Sequence, residues 1–321
     1  MKKIVVLAMS VLLFTGFASK PAQAATPIWS FSVKVGVSQD IVNRNGGMAA
    51  TQALVNQQLV TVSGRFTGFK AQVKFVPTSF YVFSTSPVDE MFKPHSEANF
   101  LVIYNEAAGF NGGWQGPSQS ILQSWTMDWG GVFSSYGTDG LAHEFGHARG
   151  AVDLYALNVS SNTVNGATYS APQSIMTYPY GETLWDSYSR GIINASGSTV
   201  YSGAPVVTKS LPSTYSVTVK SKSAGKFVSG ATVKVYPVEW FSGAVTTTPL
   251  LSGKTGVLGK WQLPRNPFAP GSIGKPWDLA YPNFLVTASY QGRSTYRWMT
   301  LTDVGNAYFA GVTNFQLTLT L

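Results

Sequence analysis

The chain reads as an α+β domain followed by an all-β sandwich, and three observations carry that reading. Strand-like and helix-like runs alternate as far as a histidine-bearing helix near residues 138–153. A polar stretch at 197–213 with Gly197, Gly203, Pro205 and Pro212 then interrupts the pattern. Beyond it come only short alternating segments of strand length, with a turn signal at Gln291-Gly292. The boundaries expected are therefore a leader at 1–24, an α+β domain at 25–196, a linker at 197–213 and a sandwich at 214–321.

The leader begins with Lys2 and Lys3, continues through the apolar run Ile4 to Phe17 and ends on Ala22-Gln23-Ala24. That is the layout of a cleaved export signal of bacterial type, so a secreted chain is expected, with the periplasm as the other destination. No other stretch is long and apolar enough to predict a membrane span. The chain has no cysteine, which excludes disulfide scaffolds and thiolate zinc sites. Without the leader's three lysines the chain holds 19 basic and 14 acidic residues, a net charge of +5. No Lys/Arg run is long enough to suggest nucleic-acid binding. Mild basicity favours contact with acidic cell-surface or cell-wall polymers, and the sandwich is the expected place for it.

Taken in order, Ile28 to Val37 alternates as a first strand. After the turn Asn43–Gly47, residues Met48, Val55, Leu59 and Val62 share a helical face, with Gln52, Asn56 and Gln57 on the solvated side. Ala71 to Phe83 is a strand interrupted at Pro77. Ser84 to Ala98 reads as a loop in which His95 is exposed. Phe100 to Tyr104, apolar throughout, is a central strand. Asn111 to Tyr136 is rich in glycine and tryptophan. Thr183 to Ala195 is predicted as a helix, started by Thr183 and Asp186 and striped by Leu184, Tyr188 and Ile192.

The chemistry concentrates at Thr138 to Asp153, where His143, Glu144 and His147 form H-E-x-x-H. Residues four apart on a helix project from one face, so two imidazoles can hold one zinc ion. Glu144 then meets a water rather than the ion, as a general base does. Gly150 lets the chain turn back after the helix and present Asp153 as the third ligand. Thr138 or Asp139 would cap the helix, or Asp139 would orient a ligand histidine.

Downstream, Ser174-Ile175-Met176-Thr177-Tyr178 reads S-I-M-x-Y. With H-E-x-x-H-x-x-G-x-x-D, residues 27–195 resemble the metzincin superfamily of zinc endopeptidases. The resemblance implies a mixed sheet, a zinc helix, a Met-turn and a closing helix. It places Met176 as a hydrophobic floor under one catalytic zinc ion, and Tyr178 near the metal or the tetrahedral intermediate. Asp153 stands where most metzincins have a third histidine, a replacement known in the snapalysin-like branch. The resemblance also puts an edge strand for an extended protein or peptide substrate near Trp125 to Phe133, with Trp129, Gly130 and Gly131 as substrate-binding residues. Residues 229–238 and 255–263 resemble a carboxypeptidase-regulatory or prealbumin-like module.

The expected activity is that of a secreted, monomeric zinc metalloendopeptidase. Two alternatives stay open at this stage. In one, Glu182 is the third ligand, as in thermolysin-like enzymes. In the other, the chain is an exported adhesin on a degenerate protease fold.

Overall fold

The computed structural model describes residues 26–106, 112–114, 119–125, 130–200, 205–223, 225–239, 242–269 and 283–321. The expected leader, Trp129 and residues 201–204 of the expected linker lie outside them.

The first unit opens with β1 (Ile28–Ser38), α1 (Gln39–Arg44) and α2 (Met48–Arg65). It continues through β2 (Gln72–Phe83), α3 (Pro87–Phe92) and β3 (Phe100–Asn105). After β4 (Gly112–Trp114) and β5 (Ser120–Ser124) come α4 (Ser135–Ala148), which carries the H-E-x-x-H motif, and α5 (Ser187–Ser196). The sheet runs β2-β1-β3-β5-β4, parallel except for the edge strand β4. β3, buried at all six positions, lies at its centre, because a strand covered on both faces must be apolar throughout.

Pro77 leaves its mark on β2: the pairing with β1 slips by one residue between Val33 and Lys34, and Thr78 drops out of the ladder. A proline has no N–H to give the ladder, and a bulge absorbs it. α2 lays Val55, Leu59 and Val62 on the sheet while Asn56 and Gln57 face outward. α4 anchors on the same core through Phe145, whose ring stacks on Phe75 at 3.8 Å and meets Phe100 edge-on at 5.7 Å.

The structure corrects several expectations here. The edge strand is Gly112–Trp114, whereas the described part of 125–133 forms turns. Gly130 and Gly131 both have positive φ, which no extended strand allows. The loop 84–98 contains the helix α3, and His95 is half-buried with Nδ1 3.3 Å from the Ala98 carbonyl. The helix expected at 183–195 starts later, capped by Asp186, whose carboxylate accepts from Ser189 N–H at 2.9 Å. Leu184 precedes that helix and is exposed, so its stripe is Tyr188, Ile192 and Ile193.

The second unit follows α6 (Pro205–Lys209), a helix inside the expected linker. One sheet contains β7 (Thr232–Pro237) and β8 (Leu251–Lys254) with β10 (Phe284–Tyr290) and β11 (Arg293–Met299), in the order β11-β10-β7-β8. The other contains β6 (Thr214–Lys220), β9 (Lys260–Gln262) and β12 (Asn314–Thr320), in the order β12-β6-β9. Gln291 and Gly292, both at positive φ, join β10 to β11 as a tight primed turn. This unit is not all-β. A helix α7 (Leu301–Phe309), capped by Thr300, carries the chain from one sheet to the other.

Candidate metal centre

Helix α4 is capped at Ser134, whose hydroxyl accepts from Gly137 N–H at 3.1 Å, and not at Thr138 or Asp139. Both expected caps lie inside the helix and do other work. Thr138 Oγ donates to the Ser134 carbonyl at 2.8 Å. Asp139 pairs with Arg65 at 2.8 Å and accepts from Gly181 N–H at 2.9 Å. It therefore ties the helix to α2 and to the segment after the Met-turn.

The C-terminal end of the helix explains how Asp153 reaches the imidazoles. Gly150 takes φ +90°, its N–H donates to the His147 carbonyl at 2.8 Å, and Ala151 N–H donates to the Gly146 carbonyl at 2.9 Å. This double bond pattern is a Schellman stop, which needs a left-handed residue at the position of Gly150. The reversal turns the Ala151 carbonyl onto His147 Nδ1, 3.0 Å away. Two residues on, Asp153 Oδ1 lies 3.2 Å from His143 Nε2 and 3.0 Å from His147 Nε2. The two Nε2 atoms are 3.1 Å apart, and the rings are perpendicular.

The Met-turn holds the other imidazole. His143 Nδ1 is 2.9 Å from the Ile175 carbonyl. Ser174 closes the turn by accepting from Thr177 and Tyr178 N–H on its carbonyl and from Met176 N–H on its hydroxyl. That hydroxyl donates to Asp186 at 2.7 Å, joining the turn to the cap of α5. Met176 is fully buried. Its sulfur is so close to Gly146 of the zinc helix that a Cβ there would meet it at 2.5 Å.

These contacts bear directly on whether the residues suit zinc. With each Nδ1–H donated to a carbonyl, both Nε2 atoms present lone pairs, and the third corner is a carboxylate oxygen. Three such donors crowded together repel unless a metal ion or a proton sits among them. Ligand atoms about 2.0–2.1 Å from one tetrahedral ion lie about 3.3 Å from each other, close to the spacing here. Among the described residues, this is the one group of three His, Cys, Asp or Glu side chains with donor atoms so near one another.

Burial opposes charge on both Asp153 and His147, yet their pairing wins. The imidazoles hold the Asp153 carboxyl well below the usual carboxylate range. Asp153 and, less strongly, Glu144 push the His147 imidazole up to about 9. Glu144 is buried, and its Oε2 accepts no hydrogen bond. A buried carboxylate oxygen left unpaired is costly, so such atoms belong where a bound species supplies the missing partner.

The remaining site residues are placed differently from one another. Tyr178 is 62% exposed and meets Tyr180 edge-on at 5.3 Å, while Tyr180 stacks on Tyr136 at 4.9 Å. A cleft of about 320 Å³ beside the Met-turn is lined by Tyr178, Tyr180 and Glu182, but by none of the three clustered ligands. Glu182 spends its carboxylate on Thr183 and Leu184 N–H and on Gln173, outside the cluster. Gly130 is exposed, but Gly131 is buried against the Trp125 ring, where a Cβ would come within 2.3 Å. Its missing side chain leaves room for that ring.

Sequence reasoning missed Arg149, the residue after the zinc helix. It is fully buried over the Phe31 ring at 4.2 Å, and it donates to the carbonyls of Thr199 at 2.7 Å and Gly197 at 2.5 Å. Desolvation pushes its pKa down to about 10. It also missed Gln58, which is buried and bridges Tyr104 to the Val132 carbonyl under the start of α4.

No protein-family model matches the chain, and no curated protein matches it. Among solved structures, one chain of a chaperone–substrate complex aligns at 11% identity and TM-score 0.36, covering 53% of this chain and 35% of that one. This chain thus spans about a third of the length of that neighbour. The 5-hydroxyisourate hydrolase of Klebsiella pneumoniae aligns at 14% identity and TM-score 0.21, covering 34% of this chain and 89% of that one. Transthyretin from Sparus aurata aligns at 13% identity and TM-score 0.21, covering 33% and 86%.

Proposed function

We propose that the chain is a zinc-dependent endopeptidase. The observation that carries the reading is the triangle of His143 Nε2, His147 Nε2 and Asp153 Oδ1, with sides of 3.0 to 3.2 Å. Those three atoms would hold the ion. When bound, zinc supplies a Lewis acid that polarises a carbonyl oxygen and makes a water more acidic. Everything else falls to the protein. The Ile175 and Ala151 carbonyls fix the two rings in the tautomer that presents Nε2. Glu144, adjacent in sequence to His143 and unpaired at Oε2, takes a proton from the attacking water and delivers it to the leaving amine nitrogen. Tyr178, two residues after Met176, would supply a hydroxyl to the carbonyl oxygen as that oxygen gains charge. Tyr178 and Tyr180, which line the cleft beside the Met-turn, and Tyr136 stacked on Tyr180 offer apolar faces to substrate side chains.

The test is hydrolysis of a quenched-fluorescence peptide pool, together with elemental analysis. Zinc close to one ion per chain, cleavage lost on chelation and cleavage restored by zinc are expected. Stoichiometric zinc without cleavage of any peptide or protein would remove the enzymatic reading and leave a metal-stabilised binding protein.

A further inference from the structure

Charge is divided unevenly along the chain. Residues 25–196 hold eight Lys/Arg and eleven Asp/Glu, a net charge of −3, whereas 214–321 hold ten and three, a net charge of +7. Strand directions place most of this excess at one end of the sandwich. The end that meets the first unit includes Leu285, Tyr236 and Val238, packed with Val159, and Asn283, which donates to the Leu157 carbonyl at 2.8 Å. β6 and β10 run away from that end, and β7, β9 and β11 run back toward it. The opposite tip is therefore built from the described residues of three loops, 221–223 with 225–231, 255–259 and 291–292.

Their hydrogen bonds knit these loops together: Ser221 N–H donates to Lys226, Gly230 N–H to Thr255 and Val219 N–H to Gly259. Lys220, Lys222, Lys226, Lys254, Lys260 and Arg293 surround this tip, and none of the six is in a salt bridge among the described residues. The described side-chain carboxylates of the sandwich, Glu239 and Asp303, lie at the other end, while the Leu321 backbone pairs with that of Lys220 and Lys222 at the tip.

The apex is apolar. Val257 is 89% exposed, Leu258 68% and Phe227 52%. They are neighbours, since a Cβ on Gly259 would meet Phe227 at 3.0 Å, and Lys220 Nζ sits 5.3 Å from the Phe227 ring. The turn that projects Val257 and Leu258 is closed by Gly256 N–H to the Lys260 carbonyl at 2.8 Å and Gly259 N–H to the Gly256 carbonyl at 2.9 Å. A rigid turn presents these side chains with little ordering cost on binding.

We infer that this tip docks on the surface of an anionic phospholipid bilayer. Val257, Leu258 and Phe227 enter the headgroup layer, and the six cations around them meet lipid phosphates. A soluble polyanion would use the cations but gains nothing from apolar side chains in water. A bilayer uses both, and each signal alone is weak. The inference is independent of the chemistry at His143, and it leaves the first unit facing away from the lipid.

The test is flotation of the full chain with vesicles of phosphatidylcholine alone, or of phosphatidylcholine and phosphatidylglycerol at about 3:1. Binding is expected only to the anionic vesicles. Lys222→Glu with Lys226→Glu and Lys260→Glu should weaken it at least about 100-fold, since each lysine near such a surface is worth roughly fivefold. Val257→Ser with Leu258→Ser should weaken it about tenfold and make the remainder fully reversible by salt. Lys70→Glu with Lys209→Glu and Arg265→Glu, the same change of charge away from the tip, should leave most binding intact. All these side chains are exposed, and unchanged melting curves check folding. If the glutamate variant melts early, Lys222→Gln with Lys226→Gln and Lys260→Gln replaces it. Equal binding to neutral vesicles, equal loss in the control variant, or binding indifferent to Val257 and Leu258 would overturn the inference. The last result, together with capture by soluble dextran sulfate, would assign the tip to a polyanion instead.

Discussion

Two carboxylates on either side of His147 carry different work, and their surroundings say which. Asp153 faces both Nε2 atoms, which on the proposed reading makes its oxygen the third ligand. Glu144 Oε2 is buried without a partner, so its oxygen is open to a proton. Glu144→Gln keeps shape and burial but cannot accept that proton. The expected outcome is full zinc content with peptide cleavage down about 10²–10⁴-fold, read from elemental analysis and turnover on the same sample. Asp153→Ala should do the reverse: zinc falls well below one ion per chain after dialysis, and cleavage disappears with it. A mutant of Asp153 that retained tight zinc would mean that another side chain completes the site. The motif made His143, Glu144, His147 and Asp153 legible in sequence, because ligand spacing on a helix and after a glycine stop is a local matter. Arg149 and Gln58 were not legible. Their partners lie 48 to 50 and 46 to 80 residues away, and nothing in a single sequence links such positions.

At the level of elements, the His143, His147 and Asp153 cluster depends on where α4 ends. The Schellman stop fixes the Ala151 carbonyl on His147 and sets the direction in which Asp153 returns. An alanine at Gly150 would have to hold φ near +90°, at a cost of about 1–2 kcal/mol. Gly150→Ala should therefore lower stability by about that much, measured by urea unfolding, and also weaken zinc affinity at least tenfold, because any relaxation of the backbone moves a ligand. A stability loss with unchanged zinc affinity would show that the reversal and the ligand geometry are uncoupled. The same scale shows where sequence patterns misled. Thr183 and Asp186 looked like a cap pair, but only Asp186 caps, because the carboxylate of Glu182 holds Thr183 and Leu184 N–H in a turn before the helix begins. Likewise, the glycines at 130 and 131 suited close approach, and the groups that approach them are the Ser134 side chain at Gly130 and the Trp125 ring at Gly131.

Over the whole molecule, the stretch around 197–213 separates two patterns in sequence but not two cores in space. One continuous buried cluster runs from Phe31 and Val35 through Tyr188 and Ile192 to Val217, Val286 and Leu319. The join is made by paired aromatic–glycine contacts that no sequence pattern announces. Phe309 of α7 lies on Gly191 of α5, where a Cβ would meet its ring at 2.2 Å, and Tyr188 of α5 lies on Gly305 of α7, where one would meet its ring at 2.3 Å. Trp298 adds a bond from its indole N–H to the Thr168 carbonyl at 2.9 Å. Separating the units would bare both aromatic rings and leave the Leu157 carbonyl without Asn283. The two units should therefore unfold together, in a single calorimetric transition whose van't Hoff and calorimetric enthalpies agree. Gly191→Val is the sharper probe, because it forces Phe309 off its seat without touching the ligand cluster. Overpacking of this kind costs about 1–3 kcal/mol and should move the one transition down by several degrees. If it instead splits the trace into two peaks, with the zinc-dependent peak unmoved, the sandwich is an appendage and not part of the scaffold that holds the metal centre.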